Sequence, residues 1–383
     1  MKYIMKKIGI ITILNVNNYG AELQAFSLQY KLRKMGYQAE IINYLYYKNP
    51  DFVKEKKSLP LIKTTLKNKI KDFILKWLDI YSSSKHPVIA KLRKKRFNDF
   101  HKLNTKLSKT YTSYSQLYDE VHEYDVYMVG SDQVWNPNNG TNLAPFFLTF
   151  APKNSVKVSF ASSFGVESIS KQYYSQYKEW LNNIDFLATR EQDGVNIIKE
   201  VTGRQAEHVC DPTMLLTKEQ WQGLMKPYNS NSPYILLFMF KNLNYAVDLA
   251  YELQKKTGYK IIRVCKNEMP VENDDKILNI RDFGPAEFLG IYSSASIIIT
   301  TSFHGTVFSL LFEKPFYTIT PQSKNNNSRQ QGILKFFGLE GRLLKEDQTL
   351  PDLTDISIPY DRVTPLVNDH RQKSLNFLKG ALE

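Results

Sequence analysis

An apolar run at residues 7–14, KIGIITIL, leads through an Asn-rich turn into AELQAFSLQYKLRKMG, whose apolar positions recur at helical spacing up to Gly36. YQAEIINY follows as a second strand-like run, so this stretch predicts a strand–helix–strand unit with parallel strands. A lysine-rich stretch breaks the rhythm, which resumes at YDVYMVG. VKVSFASSFG, QYYSQYKEWLNNI, DFLATR, EQDGVNIIKEV and AEHVCD then read as strand, helix, strand, helix and strand. After the polar run KPYNSNSP a second series begins: YILLFMF, a helix over 244–257, YKIIRVC, KILNIRDFG, a helix at PAEFLGIYSS, ASIIITT, a helix after His304, and KPFYTIT.

Two such series predict an α/β protein of GT-B-like architecture, with two facing Rossmann-like domains and a cleft between them. The expected domains are 1–225, carrying a basic helical insertion at about 48–106, and 226–383, whose terminal helix at 363–382 packs back. A chain of 383 residues exceeds what one hydrophobic core supports. Ligands of such sheets bind at the carboxyl ends of the strands. The opening MKYIMKKIGIITILNVNNYG mimics a secretory signal, but its apolar run is short and leads into Asn residues, so it reads as the first strand. No apolar stretch approaches the roughly 20 residues of a spanning helix. Cys210 and Cys265 lack metal-type spacing. A cytoplasmic protein with no metal is expected.

Charge changes the picture in one place. The formal net charge is +13, and residues 48–106 alone hold seventeen Lys/Arg against five Asp/Glu. With the excess so localised, a nucleic-acid-binding surface is not expected. In that segment Ile62, Leu66, Ile70, Phe73, Ile74, Trp77 and Leu78 recur at helical spacing between lysines. Such a face usually finds a core, here as helices covering the N-terminal domain. The other reading is peripheral contact with the inner face of the cell membrane, recruiting a lipid-linked or anionic acceptor.

Four strand-to-helix corners carry candidate chemistry. Asn18 and Tyr19 open the first helix without a dinucleotide fingerprint. In MVGSDQVWNP, Ser131 and Asp132 precede Trp135, a carboxylate beside a flat aromatic as carbohydrate sites use, or else an N-cap beside a core tryptophan. Arg190 follows a strand directly and either pairs with Glu191 or Asp193 or holds a carboxylate or phosphate by two parallel hydrogen bonds. In TTSFHGT, the groups of Ser302, His304, Gly305 and Thr306 lie where a strand gives way to a helix start, which favours anions, and Arg329 near a later helix start is a second anion clamp.

GSDQVWNP, DPTMLL, FGPAEFLGIYSSASIIITTSFHGTVFSLLFEKPF and NSRQQGILKFFGLEGR resemble, in order and spacing, the polysaccharide pyruvyl transferase family. The resemblance implies transfer of the enolpyruvyl group of phosphoenolpyruvate to a sugar diol, forming a pyruvate ketal with release of phosphate, and no cofactor beyond the donor. Its enzymes decorate bacterial exopolysaccharides, capsules and cell-wall polymers, so a glycan or its lipid-linked precursor is the expected acceptor. By the same resemblance His304 and Arg190 are the catalytic pair; the need for a carboxylate to take a hydroxyl proton adds Asp132 as the candidate base. Ser302, His304, Gly305, Thr306, Arg190 and Arg329 are assigned to the donor, and Asn18, Tyr19, Ser131, Asp132 and Trp135 to the acceptor. The family pattern has an arginine where this chain has Ser302, which makes Arg329 the substitute. The rival expectation on this fold is a nucleotide-sugar glycosyltransferase.

Overall fold

The computed structural model describes residues 5–14, 16–58, 66–120, 123–239, 243–265, 274–321 and 328–383, with only some side chains of 66–85. The chain forms two compact units. The first comprises Met1–Thr64, His101–Leu216 and Asn368–Glu383, and the second Thr65–Phe100 and Thr217–Val367.

In the first unit β1 (Lys7–Ile11) runs into α1 (Tyr19–Lys34) and β2 (Gln38–Tyr44). Helices α2 (Leu66–Lys85) and α3 (Pro87–Asn104) intervene before β3 (Leu107–Tyr111), α4 (Tyr114–Asp119), β4 (Val126–Val129) and β5 (Val156–Ser159). All pairings are parallel, in the order β3-β2-β1-β4-β5. Then come α5 (Tyr174–Asn182), β6 (Ala188–Thr189), α6 (Gln192–Thr202) and β7 (Glu207–His208), and parallel bridges Val158–Phe186 and Ser162–Thr189 carry the sheet on from β5 to β6. Parallel strands are covered on both faces, which is why β4 is buried along its whole length. Helix α1 is buried almost all round, and its Gln29 is satisfied internally, donating to the Lys106 carbonyl (2.6 Å) and accepting from the Lys106 N–H (2.9 Å).

The second unit holds α7 (Lys218–Gln222), β8 (Tyr234–Phe238), α8 (Asn244–Thr257), β9 (Lys260–Val264), β10 (Ile277–Ile280), α9 (Pro285–Ser294), β11 (Ile297–Thr300), α10 (Phe303–Leu311), β12 (Phe316–Thr320), α11 (Ser328–Phe336) and β13 (Leu343–Lys345). Its sheet is parallel in the order β10-β9-β8-β11-β12-β13, the doubly wound arrangement. The GPAEF segment caps α9: Pro285 takes the first helical position, and the Glu287 carboxylate reaches back to the Gly284 N–H (3.2 Å). The final helix α12 (Tyr360–Leu382) has residues in both units. In the second unit the Tyr360 hydroxyl donates to the Lys314 carbonyl (2.7 Å), and in the first Ser374 accepts from the Cys210 N–H (2.8 Å).

The division differs from the one expected at 225/226 and places residues 65–100 of the expected insertion in the second unit. The reason is a set of arginines on α3. Arg96 pairs with Asp282 (2.7 Å) and approaches Glu287 (3.4 Å), while Arg93 reaches the carbonyls of Arg281 and Phe283 (3.5 Å each), all just beyond β10. The apolar face of α2, which a core was expected to cover, lies open, with Phe73 71% and Trp77 55% exposed. Ile62 of that pattern lies outside the described residues. Among the described residues no helix is long and apolar enough to cross a membrane.

Candidate functional site

In both sheets the strand order reverses beside the first strand of the series, between β1 and β4 and between β8 and β11. Crevices form at such switch points, outside the carboxyl ends of the strands. The sequence candidates cluster at these two places. In the first unit, three neighbouring strands are each followed by a residue other than glycine in left-handed backbone: Asn17 (φ 50°) after β1, Asp132 (φ 70°) after β4 and Ala161 (φ 57°) after β5. Such residues cost on the order of 1–3 kcal/mol each and gather at functional sites. Asn18 caps α1, its Oδ1 accepting from the Gly20 N–H (3.1 Å). Asp132 remains partly exposed, with Oδ1 accepting from the Gln133 N–H (2.8 Å).

Behind that edge lies a buried ion network. Arg190 donates through Nε to Glu191 Oε1 (2.8 Å) and through Nη1 to Asp211 Oδ2 (2.9 Å) and Ser131 Oγ (3.3 Å). Glu191 Oε1 also accepts from Ser163 Oγ (2.8 Å), and Asp211 Oδ1 from the Thr213 N–H (3.0 Å) and hydroxyl (2.6 Å). Burial alone would lower the Arg190 pKa, but the carboxylates of Glu191, Asp211 and Asp132 outweigh it and push it above the usual guanidinium range. Only 1% of the Arg190 side chain is exposed. The expectation that it presents a fork to substrate is therefore corrected: its fork holds two protein carboxylates and positions the Ser131–Asp132 corner. Glu191 is one of the two partners expected for Arg190, whereas Asp211 was not singled out in the sequence, although DPT is an aspartate N-cap signature.

Trp135 also departs from expectation. It is fully buried, stacked on Phe147 (5.0 Å between centroids), with Nε1 donating to the Phe146 carbonyl (2.8 Å), so it offers no platform to a sugar. Tyr19, 2% exposed, is likewise a core residue. The aromatic beside a polar corner belongs to the packing that holds the corner, and its indole N–H is satisfied inside.

In the second unit the turn after β11 brings the remaining candidates together. Ser302 caps α10, its Oγ accepting from the Gly305 N–H (3.3 Å) while its own N–H donates to Thr300 Oγ1 (3.1 Å). Serine suits this position because a short hydroxyl reaches back to the first turn, which an arginine does not do. A Cβ on Gly305 would lie 2.2 Å from Thr300 Oγ1 and 2.8 Å from the Tyr292 hydroxyl, so only glycine lets the helix start come this close to the strand. Thr306 is buried, its hydroxyl 2.8 Å from that of Thr318. His304 is 7% exposed, its ring 5.4 Å from that of Phe303, and the Arg329 guanidinium lies over the same Phe303 ring at 6.0 Å. Gln330, beside Arg329, donates to the Thr301 carbonyl (3.5 Å), and its buried Oε1 has no partner among the described residues. An imidazole, a guanidinium, a helix start and a half-satisfied amide thus surround one turn, a set suited to an anion and a proton transfer. Gln330 was not foreseen, since the spacing of NSRQQG carries no sign of which amide turns inward.

The family model for polysaccharide pyruvyl transferase matches residues 18–323, which include every residue of both clusters except Asn17, Arg329 and Gln330. The chain belongs to the polysaccharide pyruvyl transferase family. No curated relative matches it. Among solved structures it is similar to Arabidopsis thaliana UGT89C1 complexed with UDP-L-rhamnose, at 11% identity and a TM-score of 0.50, with 98% of this chain and 93% of that one covered. UDP-GlcNAc 2-epimerase from Neisseria meningitidis bound to UDP-GlcNAc matches at 11% identity and a TM-score of 0.44, over 98% and 100% of the two chains. At these identities the likeness to UGT89C1 speaks for the fold alone, a GT-B-like pair of Rossmann-type units. This pyruvyl transferase family member carries a histidine, His304, at the start of α10, with Ser302 before it as a cap.

Proposed function

We propose that the protein transfers the enolpyruvyl group of phosphoenolpyruvate to two hydroxyls of a sugar in a polysaccharide, glycan or lipid-linked precursor, in the cytoplasm and without a further cofactor. The observation that carries this reading is the turn after β11, where His304 and Arg329 share the Phe303 ring beside the start of α10. A donor bearing a carboxylate and a phosphate needs cationic and N–H groups of this kind. In the proposed reaction a proton is added to the methylene carbon of the donor and one sugar hydroxyl attacks its central carbon. The bond to phosphate breaks, and a second hydroxyl closes the ketal. Of the two hydroxyl protons, the balance leaves one in the new methyl group and one on phosphate.

His304 is assigned the proton transfer to the donor, and Arg329 with the first turn of α10 the anionic groups. Asp132 is the base for an acceptor hydroxyl, being the partly exposed carboxylate of the first unit's corner. Arg190 acts as a positioning residue through Ser131 and Asp211. The test is incubation of the full chain with phosphoenolpyruvate or with nucleotide sugars, with and without glycan acceptors. Release of inorganic phosphate that depends on the acceptor supports the proposal. Release of nucleoside diphosphate, with none of phosphate from phosphoenolpyruvate, overturns it in favour of glycosyl transfer.

A further inference from the structure

Helix α2 presents an apolar face that no other described part of the chain covers. Ile70, Phe73, Ile74, Trp77, Ile80 and Tyr81 are 51%, 71%, 49%, 55%, 58% and 43% exposed. At about 100° per residue these positions fall within an arc of roughly 120° on one side of the helix. The same period sets the backbone positions of Lys67 and Lys85 on one rim of the stripe and those of Lys69 and Lys76 on the other, with Asp72 and Asp79 on the opposite side. Trp77 and Tyr81 stack at 5.2 Å, and the Lys85 ammonium lies over the Tyr81 ring at 4.7 Å. Indole and phenol rings flanked by ammonium groups are suited to the boundary between headgroups and acyl chains.

We propose that α2 docks this protein on the surface of an anionic lipid bilayer, with the stripe at headgroup depth and the lysine rims on lipid phosphates. Charge decides between a bilayer and a second copy of the chain. In a two-fold contact between copies the stripe would bring lysine rims against lysine rims, whereas an anionic surface complements both rims together. The helix is amphipathic, not apolar throughout, so it lies in the interface and does not span it. The proposal goes beyond the transfer reaction and is independent of it.

The experiment is co-sedimentation of the full chain with phosphatidylcholine vesicles and with vesicles also containing phosphatidylserine, read alongside tryptophan emission and sedimentation velocity. Trp135, Trp180 and Trp221 are buried, so a blue shift on binding reports Trp77. Retention by the anionic vesicles with a blue shift is expected. Phe73→Glu with Trp77→Glu, and separately Lys69→Glu with Lys76→Glu, should each lower it by roughly tenfold or more. None of these residues belongs to the proposed site, so phosphate release with a soluble acceptor should stay at the parent rate. Equal retention of parent and variants, or no preference for anionic vesicles, overturns the proposal. A parent dimer that Phe73→Glu with Trp77→Glu converts to monomer also overturns it and gives the face to a second copy. A chain held by anionic vesicles but inactive with phosphoenolpyruvate refutes the transfer reading and leaves the docking one standing.

Discussion

After β4 and β6 in the first unit, charge is turned inward: Arg190 lies among Glu191, Asp211 and Asp132, and nearly all of it is buried. After β11 in the second unit, a hydroxyl caps the helix start, Arg329 rests on an aromatic ring, and an imidazole occupies the first turn. Both places are carboxyl edges of doubly wound sheets, and both carry a cation and a polar turn. They differ in what the cation already holds. A guanidinium bound to two buried carboxylates fixes a backbone corner, and the anions it holds disfavour a third. The Arg329 guanidinium lies over an aromatic ring beside a helix start, where an anion is favoured.

The largest difference should appear on removing His304. His304→Ala is expected to lower turnover by on the order of 10²–10⁴-fold while leaving the urea midpoint almost unchanged. Normal turnover would move the chemistry away from the turn after β11. Arg190→Ala should act in the opposite sense. It leaves Asp211 and Glu191 buried without their shared cation, and the expected cost is about 3–5 kcal/mol of folding stability in a denaturant titration. An unchanged midpoint with raised donor KM would restore Arg190 as a ligand of the donor and dissolve the contrast between the two edges.

A smaller effect follows from a histidine pair in the first unit. The rings of His208 and His370 are 5.1 Å apart. Burial, reinforced by His208 and Lys373 and opposed by Asp369, lowers the His370 pKa to about 4, and burial lowers that of His208 also. Both are held neutral in the folded state, so their contribution is complete above the unfolded value of about 6.5 and is lost as pH falls through it toward 4. The loss for His370 is on the order of 3 kcal/mol, and His370→Phe should flatten the dependence of the urea midpoint between pH 8 and pH 5. His101 works against this trend. Burial lowers its pKa, but the hydrogen bond to and charge of Glu22 (2.8 Å) raise it overall, so its contribution is present at low pH and fades as pH rises through the folded value. A midpoint insensitive to His370→Phe at both pH values would show that the pair titrates as in the open chain.

Much of this architecture was legible in the sequence, because parallel strands covered on both faces appear as unbroken apolar runs such as YILLF and IIIT. The edge strands β3 and β13 left no such run. Most of their residues are at least partly exposed, as in LSKTY. The position of His304 was legible for a related reason, since glycine and serine at a strand end announce a tight helix start. The state of Arg190 was not, because its partner Asp211 lies twenty-one residues further on and meets it only in the fold. Trp135 misled because a tryptophan beside an aspartate looks alike whether its ring faces sugar or Phe147. The assignment of residues 65–100 depended on Arg93 and Arg96 meeting carbonyls and carboxylates nearly two hundred positions later, which no local pattern records.

The closing residues of α12 belong to the first unit: Ser374 satisfies the Cys210 N–H, Phe377 packs on Phe160, and the Lys6 ammonium reaches the Leu382 carbonyl. Domains usually complete themselves in the order in which they leave the ribosome. Here the earliest-made strands must wait, partly formed, until the whole of the other unit has been synthesised and the last helix is released. A ribosome that stops before residue 368 would yield a second unit able to mature and a first unit still missing part of its own core.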